Sequence, residues 1–398
     1  MTAVSRPHNQ PHRFEALDSL RGVCACMIVL LHFKTNGVIS RSALVENAFL
    51  FVDFFFVLSG FVIAASYRDR IANGFSIAKF MGLRLGRIYP LHATMLLVFL
   101  GFEIFFALAM PHGADRKPFA GEFGFDRWIA EALLLQTFTG PDRLPWNGPS
   151  WSIAVEMWTY LVFAIGFRWL GRLIVPAALV LAAGCCAFLA LRDGLYLDVF
   201  HDGAFARCLY GFGLGVVAYR VQEAVARYGK PSVAAATAIE IVAIAATVEI
   251  VRLSGPIPLS LLVPPVFFLV VLVFAQQRGM VSRLLLLRPF LLAGTLSYSI
   301  YMVHAFLEYR IVNLLSLLER RLHSRVTLVA RDNGVNHIGG GALFGDIMSI
   351  AMLALTIGVA ALTYRFIERP GQRWSRRLIL GPAPRPGTFV AEREVPSF

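Results

Sequence analysis

Residues 47–67 read NAFLFVDFFFVLSGFVIAASY, an apolar run in which Asp53 is the one charged side chain. A helix needs about 20 consecutive, mainly apolar residues to cross a bilayer. Further runs of this kind occur along the 398-residue chain, of which 57% is hydrophobic and 16% charged. Soluble domains are about 45–50% apolar and about 25% charged. We therefore predict an all-α, polytopic membrane protein, and we exclude an ordinary soluble enzyme, a disordered chain and a fibrous repeat.

The hydropathy pattern predicts about ten membrane-spanning helices. We place them at residues 16–34, 47–67, 88–110, 150–168, 173–191, 205–220, 233–252, 257–276, 289–307 and 345–366. Basic residues concentrate in alternate connections, for example 68–87 and 277–288. The positive-inside rule then places these connections and both termini in the cytoplasm, which agrees with an even number of spans. Residues 1–370 are expected to form the transmembrane domain and residues 371–398 a flexible cytoplasmic tail.

The charge and the cysteines have simple interpretations. The net charge of +12 is carried mainly by short connections, and no nucleic-acid-binding motif accompanies it, so we predict no nucleic-acid partner. The five cysteines lie in apolar runs without metal-ligand spacing, which predicts buried thiols and no metal site. The first apolar run is followed by no small-residue cleavage site, so we expect this span to be retained rather than removed as a signal peptide.

Ionisable side chains inside apolar helices are costly and usually face a bundle interior or a cavity. In the first helix, Arg21 and His32 are eleven residues apart. This spacing corresponds to about three turns, so both side chains share one face, roughly 16 Å apart along the axis. Asp18 falls near the same stripe. Ser297, Tyr301 and His304 form a second stripe at helical spacing.

The predicted topology sorts these polar residues into two layers. Near the outer surface we expect Asp53, Glu156, His304 and His32, and near the inner surface Arg21, Arg84, Arg87 and Arg369. Guanidinium groups bind phosphates well, and a histidine can act as general base at neutral pH. This arrangement favours transfer of a group from a polyanionic cytosolic donor to a hydroxyl. Since no Ser or Cys lies in a nucleophile-elbow pattern, the sequence favours direct transfer over a covalent intermediate.

Six stretches of the chain resemble a known family in the order in which that family carries them. They are Ala16-Leu17-Asp18-Ser19-Leu20-Arg21-Gly22 running to His32 (R-x10-H), Phe54 to Phe61, Arg84 to Pro90 (R-x-x-R), Trp151 to Glu156, Ser297 to His304, and Glu368-Arg369-Pro370. These motifs are similar to those of the acyltransferase 3 family. Its members are membrane proteins that O-acylate bacterial surface polysaccharides, lipopolysaccharide, Nod factors and some antibiotics.

The resemblance implies a set of partners and roles. It implies acyl-CoA as donor substrate with no permanently bound cofactor, a catalytic His32, an essential partner role for Arg21, and donor contacts by Arg84 and Arg87. It also implies a saccharide or lipid-linked saccharide acceptor and a location in a bacterial inner membrane, in contact with lipid. Met157 stands where the family often has a second acid, which puts any role for two adjacent carboxylates in doubt. The chain looks like the form without an appended esterase-like domain.

The resulting site prediction has three parts. We predict catalytic roles for His32, Arg21 and Glu156, donor binding by Arg84 and Arg87, and a substrate pocket lined by Asp18, Asp53, Ser59, Tyr298, Tyr301 and His304. Each assignment has a structural alternative. Arg21 could pair with Asp18 at i+3, the basic residues could be membrane anchors, Ser59 and Gly60 could form a tight helix contact, and the tyrosines and histidines could be interfacial residues.

We predict an O-acyltransferase that transfers an acyl group from acyl-CoA to a hydroxyl of exopolysaccharide, lipopolysaccharide or lipo-oligosaccharide. One tunnel is expected to connect His32 to the inner arginines. The main alternative is a transporter of glycan-linked or acylated substrates, although the inverted repeats typical of such folds are not evident. A non-catalytic assembly or sensor protein is a third interpretation. The acyl group, the acceptor, the membrane side on which it binds and the oligomeric state stay open.

Overall fold

The computed structural model describes residues 14–109, 117–140, 145–192, 194–229, 231–322, 329–332 and 335–381. Within these residues the chain forms fourteen α-helices and one antiparallel hairpin. The helices are α1 (Glu15–His32), α2 (Ala43–Glu46), α3 (Phe51–Ala72), α4 (Ile77–Ala109), α5 (Phe125–Ala132), α6 (Trp151–Trp169), α7 (Ile174–Ala190), α8 (Ala204–Val225), α9 (Val233–Ser254), α10 (Val263–Phe274), α11 (Met280–Leu285), α12 (Arg288–Leu322), α13 (Ala342–Thr363) and α14 (Arg369–Leu380). The strands are β1 (Val329–Asp332) and β2 (Val335–Ile338).

The helical architecture agrees with the predicted fold class. Each of the ten predicted segments overlaps one helix, namely α1, α3, α4, α6, α7, α8, α9, α10, α12 or α13. Seven helical segments of the described chain are long and apolar enough to cross a membrane: Ala48–Ala72, Ile77–Ala109, Gly148–Trp169, Gly171–Ala190, Val233–Ser254, Arg288–Glu319 and Ala342–Leu380. The multi-pass, all-α prediction is thus confirmed in outline, whereas ten spans and cytoplasmic termini stay predictions.

Glycines bring two pairs of helices into close contact. A β-carbon at Gly22 of α1 would overlap the backbone of Ala293 in α12, and one at Gly294 would overlap the backbone of Asp18. In the same way, a β-carbon at Gly60 of α3 would overlap the backbone of Phe212 in α8. Small residues allow such approach where lipid removes the hydrophobic drive for association. The interpretation of Gly60 as a tight helix contact is therefore correct.

The α12 helix and the strand pair that follows it differ from the prediction. The sequence predicted a helix at 289–307, but α12 continues to Leu322 and has 35 residues. At 1.5 Å per residue it is about 52 Å long, more than the roughly 30 Å of a hydrocarbon core. The hairpin that follows was not predicted. Its Ile338 exchanges backbone hydrogen bonds with Lys34 and Asn36, just beyond His32.

The last described helix corrects the predicted tail. A π-helical turn, Tyr364–Glu368, joins α13 to α14, so residues up to Leu380 continue the helix rather than forming a flexible segment from 371. The α14 helix packs on α4 because Gly371 lies against Pro90 and Ser375 Oγ donates a 3.1 Å hydrogen bond to the Gly86 carbonyl. Residues 382–398 lie outside the described part of the chain.

Candidate active site

A cavity of about 120 Å³ lies between α1, α3, α4, α6 and α12. Seven of the eleven predicted site residues line it: Arg21, Ser59, Arg84, Arg87, Glu156, Tyr298 and Tyr301. Ser152, Tyr160 and Ser297 add polar groups, and apolar side chains such as Phe55, Val62 and Ile88 complete the wall. Five helices that are far apart in sequence therefore converge on one polar space inside an apolar bundle.

Two arginines on α4 provide positive charge at one end of this cavity. Because α4 begins at Ile77 rather than at the predicted residue 88, Arg84 and Arg87 lie within the helix, three residues apart. Arg84 is buried, and its Nη2 donates a 3.2 Å hydrogen bond to Tyr67 Oη. Arg87 lines the cavity, and no described residue hydrogen-bonds to its guanidinium, although the carboxylate of Glu368 acts on it electrostatically from a distance longer than an ion pair. Arg87 is thus available for an anionic ligand.

Arg21, the third arginine of the cavity, forms hydrogen bonds to α12. Arg21 Nε donates to Ser297 Oγ at 2.8 Å, and its Nη2 donates to the Gly294 carbonyl at 3.2 Å. The same Nη2 lies 3.2 Å from Asp18 Oδ1. Arg21 therefore lines the cavity and also forms the ion pair that was the structural alternative. Asp18 itself does not line the cavity, so its predicted place in the pocket is corrected to that of a partner of Arg21.

A carboxylate and two hydroxyl groups meet in the middle of the cavity. Ser59 Oγ and Tyr160 Oη both donate hydrogen bonds to Oε1 of Glu156, the second at 2.7 Å. The prediction separated Glu156 from the arginines, whereas in the structure Glu156 lines the same cavity as Arg84 and Arg87. Its depth in the membrane stays a prediction. Tyr160 was missed, although its i+4 position after Glu156 was a usable signal.

Tyr301 contributes a hydroxyl group to the cavity wall. Its Oη lies 2.9 Å from Ser152 Oγ and donates to the Pro149 carbonyl at 3.0 Å. His304, one turn further along α12, donates from Nδ1 to the Tyr301 carbonyl at 2.7 Å. The Nε2 atom of His304 is buried and has no hydrogen-bond partner in the described structure. His304 thus lies behind the cavity wall rather than in its lining, which corrects its predicted place in the pocket.

His32 lies beyond His304. The two imidazole rings are 4.9 Å apart between centroids, and Nδ1 of His32 donates to the Ile28 carbonyl at 2.9 Å. A carbonyl oxygen can only accept, so Nδ1 carries the proton and Nε2 the lone pair. Tyr301 lines the cavity, whereas His304 and His32 do not. In the described structure the cavity therefore does not extend to His32 as the expected tunnel would.

Asp53 has a different role from the predicted one. Its carboxylate forms a bidentate ion pair with Arg207 of α8, with Nη2–Oδ2 at 2.7 Å and Nε–Oδ1 at 3.0 Å. Both side chains are fully buried, and the guanidinium also lies 5.4 Å from the centre of the Trp151 ring. Asp53 is absent from the cavity lining, so its assignment to the substrate pocket is corrected. The signal for the pair was Arg207 itself, a charged residue inside a predicted span.

A polar network between α5 and the loop before α6 holds the start of α6. Glu131 of α5 is fully buried, and its Oε1 accepts hydrogen bonds from Ser150 Oγ at 2.7 Å and from the Asn147 amide at 3.2 Å. Loss of hydration raises the pKa of Glu131 to about 8. Asn147 Nδ2 donates to the Met302 carbonyl at 3.1 Å, which ties this loop to α12. The network thereby fixes the α6 residues that reach the cavity, and the sequence gave no sign of it.

The described residues contain no evident set of metal ligands. Among the residues that the structure describes, no group of three or more His, Cys, Asp or Glu side chains is placed to hold a metal ion. Each of the five cysteines is free, and Cys24, Cys185 and Cys208 are buried. Among the residues that line the cavity, the chemically active side chains are arginine, carboxylate, and serine and tyrosine hydroxyl groups.

Comparison with known proteins identifies relatives over most of the chain. A family model described as an acyltransferase domain, that of the acyltransferase 3 family, matches residues 14–365. "Protein 2 in picA locus" of Rhizobium radiobacter is 31% identical over 184 residues, which cover 44% of this chain and 91% of that protein. "Acyltransferase MdmB" of Streptomyces mycarofaciens is 32% identical over 160 residues, 40% of this chain and 35% of that protein.

A third relative is more distant. "Putative peptidoglycan O-acetyltransferase YrhL" of Bacillus subtilis (strain 168) is 24% identical over 210 residues, which cover 51% of this chain and 31% of that protein. The chain thus spans about a third of the length of this relative and of the Streptomyces one. No solved structure matches the chain.

Proposed function

The chain belongs to this acyltransferase family, and we propose that it transfers an acyl group from acyl-CoA to a hydroxyl of a carbohydrate acceptor. One observation carries the proposal: three arginines, a carboxylate and hydroxyl groups line one cavity inside an apolar helix bundle. Charged groups are retained at such depth where they serve a substrate or ion pathway. The family match covers every residue of this cavity.

The arginine end of the cavity suits the donor. Acyl-CoA carries phosphate groups at one end and a thioester at the other, and guanidinium groups bind phosphates through charge and paired hydrogen bonds. The unpaired Arg87 is the group best placed to bind such an anion first. A volume of about 120 Å³ admits the thioester end of this donor but not the whole molecule. The nucleotide portion therefore stays on the predicted cytoplasmic side.

The histidine pair suits the acceptor. His32 Nε2 carries a free lone pair, because Nδ1 is committed to the Ile28 carbonyl. As the acceptor oxygen attacks the thioester carbon, Nε2 takes the hydroxyl proton, the carbon–sulfur bond breaks, and the thiolate leaves and is then protonated. A carbohydrate acceptor is supported by the motifs shared with polysaccharide-modifying members and by the name of the Bacillus relative. We place the enzyme in the inner membrane with the acceptor reaching His32 from outside.

The test uses purified full-length protein in lipid nanodiscs, supplied with acyl-CoA and a polysaccharide acceptor. We expect release of free CoA thiol coupled to ester formation on the glycan, and a loss of about 10²–10⁴-fold in the transfer rate for His32→Ala. The matched control is His337→Ala, which removes an imidazole from the β2 strand. Near-normal transfer by the His32 variant would remove this assignment. Absence of thioester consumption by the unaltered protein would overturn the proposed donor.

A further inference from the structure

Ser59 is the nucleophilic side chain that the proposed reaction leaves unused. It lies on α3, faces the cavity, and donates its hydroxyl hydrogen to Glu156 of α6. Glu156 in turn accepts a second hydrogen bond from Tyr160. A hydroxyl bonded to a carboxylate that a third group orients is the arrangement by which enzymes activate an oxygen nucleophile.

Hydroxyl groups in membrane helices usually have a simpler role. Thr94, Ser349 and Thr356 each donate to the backbone carbonyl four residues earlier in the same helix. Such a bond satisfies the hydroxyl locally and leaves it chemically inert. Ser59 donates instead to a carboxylate on another helix, so its bond is not explained by the needs of its own helix.

Bonding to a carboxylate is not sufficient to distinguish Ser59. Ser150, Ser282 and Ser299 also donate to glutamates, at 2.7, 2.6 and 2.6 Å. These three serines are fully buried and absent from the cavity lining. Both members of the Ser59–Glu156 pair line the cavity, together with the arginines that are proposed to hold the donor. Of the four serine–glutamate pairs in the described residues, this one is open to a substrate.

We propose that Ser59 is acylated by the donor, so that the enzyme acts through a covalent acyl-serine intermediate. This inference rests on the proposed thioester donor and replaces its direct transfer by two steps. Ser59 Oγ attacks the thioester carbonyl carbon while Glu156 takes the Oγ proton. The carbon–sulfur bond then breaks, the CoA thiolate leaves with the proton from Glu156, and the acyl group remains on Ser59 as an oxygen ester.

The second step regenerates the enzyme. The acceptor hydroxyl attacks the acyl-serine carbonyl and its proton passes to the histidine pair. The bond between the carbonyl carbon and Ser59 Oγ then breaks, and Ser59 Oγ takes that proton back. This order fits the position of the two histidines outside the cavity lining. The first step needs groups of the cavity alone, whereas His32, which lies beyond Tyr301 and His304, is needed only when the acceptor enters. Positive charge on Arg84 offsets the negative charge that develops on the carbonyl oxygen.

The experiment traps the intermediate in the purified full-length protein. Acetyl-, succinyl- and hexanoyl-CoA are tested for release of CoA thiol, and a donor that is consumed is then supplied in labelled form without acceptor. After rapid acid quench, we expect label bound to the protein, removable by alkaline hydroxylamine and mapped by mass spectrometry to the peptide that contains Ser59. Initial rates with both substrates should give the parallel double-reciprocal lines of a two-step mechanism.

Four variants separate this role from a structural one. Ser59→Ala should abolish the label and lower turnover by about 10³-fold or more. Ser59→Cys should give a thioester that neutral hydroxylamine removes, a signature that no packing role produces. His32→Ala should keep the label and lose transfer to the acceptor. Ser282→Ala, which breaks a serine–glutamate pair outside the cavity, should keep both.

The outcomes are distinct for the two proposals. If the unaltered protein transfers the acyl group but carries no label, or if Ser59→Ala turns over at a normal rate, the acyl-serine step is overturned and the proposed function survives. If no thioester is consumed with any donor and acceptor, both fail together. If Ser59→Ala does not fold, the deciding measurement is the thioester expected in Ser59→Cys. If Ser59→Cys is folded and active but carries no thioester, the acyl-serine step is refuted.

Discussion

The α3 helix presents two polar faces that look alike in sequence and differ in chemistry. Asp53 and Ser59 are six residues apart, which places them about 120° from each other around the helix. On one face Asp53 is fully buried against Arg207 and both charges are neutralised. On the other face Ser59 meets Glu156 at the edge of a cavity. One helix thus carries a closed ion pair and an open hydrogen-bonded pair.

The difference shows why depth in the membrane is a poor guide to function. A buried charge can be retained because an opposite charge on a neighbouring helix offsets its desolvation cost, as for Asp53. It can also be retained because a ligand must reach it, as proposed for Glu156. The two cases differ in whether the charged group borders a cavity. Asp53 and Arg207 satisfy each other and the Phe49 carbonyl, whereas Glu156 borders open space. The following predictions test this contrast.

The largest effect is expected on the closed face. Asp53→Ala leaves the Arg207 guanidinium buried without a counter-charge, which costs about 3–5 kcal/mol. We expect a large fall in the thermal unfolding midpoint of the purified protein, or loss of folded protein altogether. The double variant Asp53→Leu with Arg207→Met removes both charges and should restore folding. A normal midpoint for Asp53→Ala, or no rescue by the double variant, would argue against a structural ion pair.

On the open face, Glu156→Gln should act on rate and not on stability. The glutamine Oε1 can still accept from Ser59 and Tyr160, so the local packing is kept, but the side chain can no longer take a proton. We expect a fall in kcat of about 10²–10⁴-fold with an unfolding midpoint within about 2 °C of normal. The rate and the unfolding midpoint should be measured on one preparation. A variant that loses both stability and rate would show that Glu156 has a structural role like that of Asp53.

Donor binding should show a smaller effect. Arg87→Gln removes an unpaired guanidinium from the cavity, and we expect binding of CoA, measured by calorimetry, to weaken about tenfold at low salt and less at high salt. The matched control is Arg220→Gln, since Arg220 is exposed and pairs with Glu223 outside the cavity. An equal loss in both variants would indicate a general charge effect and remove Arg87 from the donor site.

The smallest effect, per pH unit, concerns Glu131 of α5 and the dependence of stability on pH. The pKa of Glu131 is about 8 in the folded protein and near 4.5 in a solvated chain. Between these values the folded state holds a proton that the unfolded state has released, so stability falls as pH rises, by at most about 1.4 kcal/mol per pH unit. We expect a lower unfolding midpoint at pH 8 than at pH 6. Glu131→Gln should flatten this slope, and an unchanged slope would show that another group titrates.

Much of the architecture could be predicted from local sequence. Apolar runs must satisfy their own backbone hydrogen bonds in lipid, so each long run becomes a helix whatever its neighbours are. The residues at which the helices begin and end were less predictable. The α4 helix extends back to Ile77 and α12 forward to Leu322 because polar residues can continue a helix once it emerges from the hydrocarbon. The strand pair of Val329–Asp332 and Val335–Ile338 contacts the chain after α1 through Ile338, a contact that hydropathy does not predict.

The sequence indicated which residue types belong to the candidate site but not which partners they have. Arg21 and Glu156 were chosen because charge is costly in lipid, and Arg84 and Arg87 because of the family resemblance; in the structure they line one cavity with Ser59. Helical periodicity places a side chain on a face but does not say which helix that face meets. For this reason Asp53 was assigned to the pocket, Glu156 was separated from the arginines, and Arg207, Tyr160 and Glu131 were overlooked.

The amino-acid sequence alone determined that this chain is a multi-pass helical membrane protein of an acyltransferase family, because hydrophobic length and ordered motifs are local properties. The tertiary structure decided which polar groups neutralise each other and which face open space. That decision depends on contacts between residues as distant in the chain as Arg21 and Ser297, or Ser59 and Glu156. Such contacts arise only when the helices pack, since each helix alone leaves its polar face unmatched.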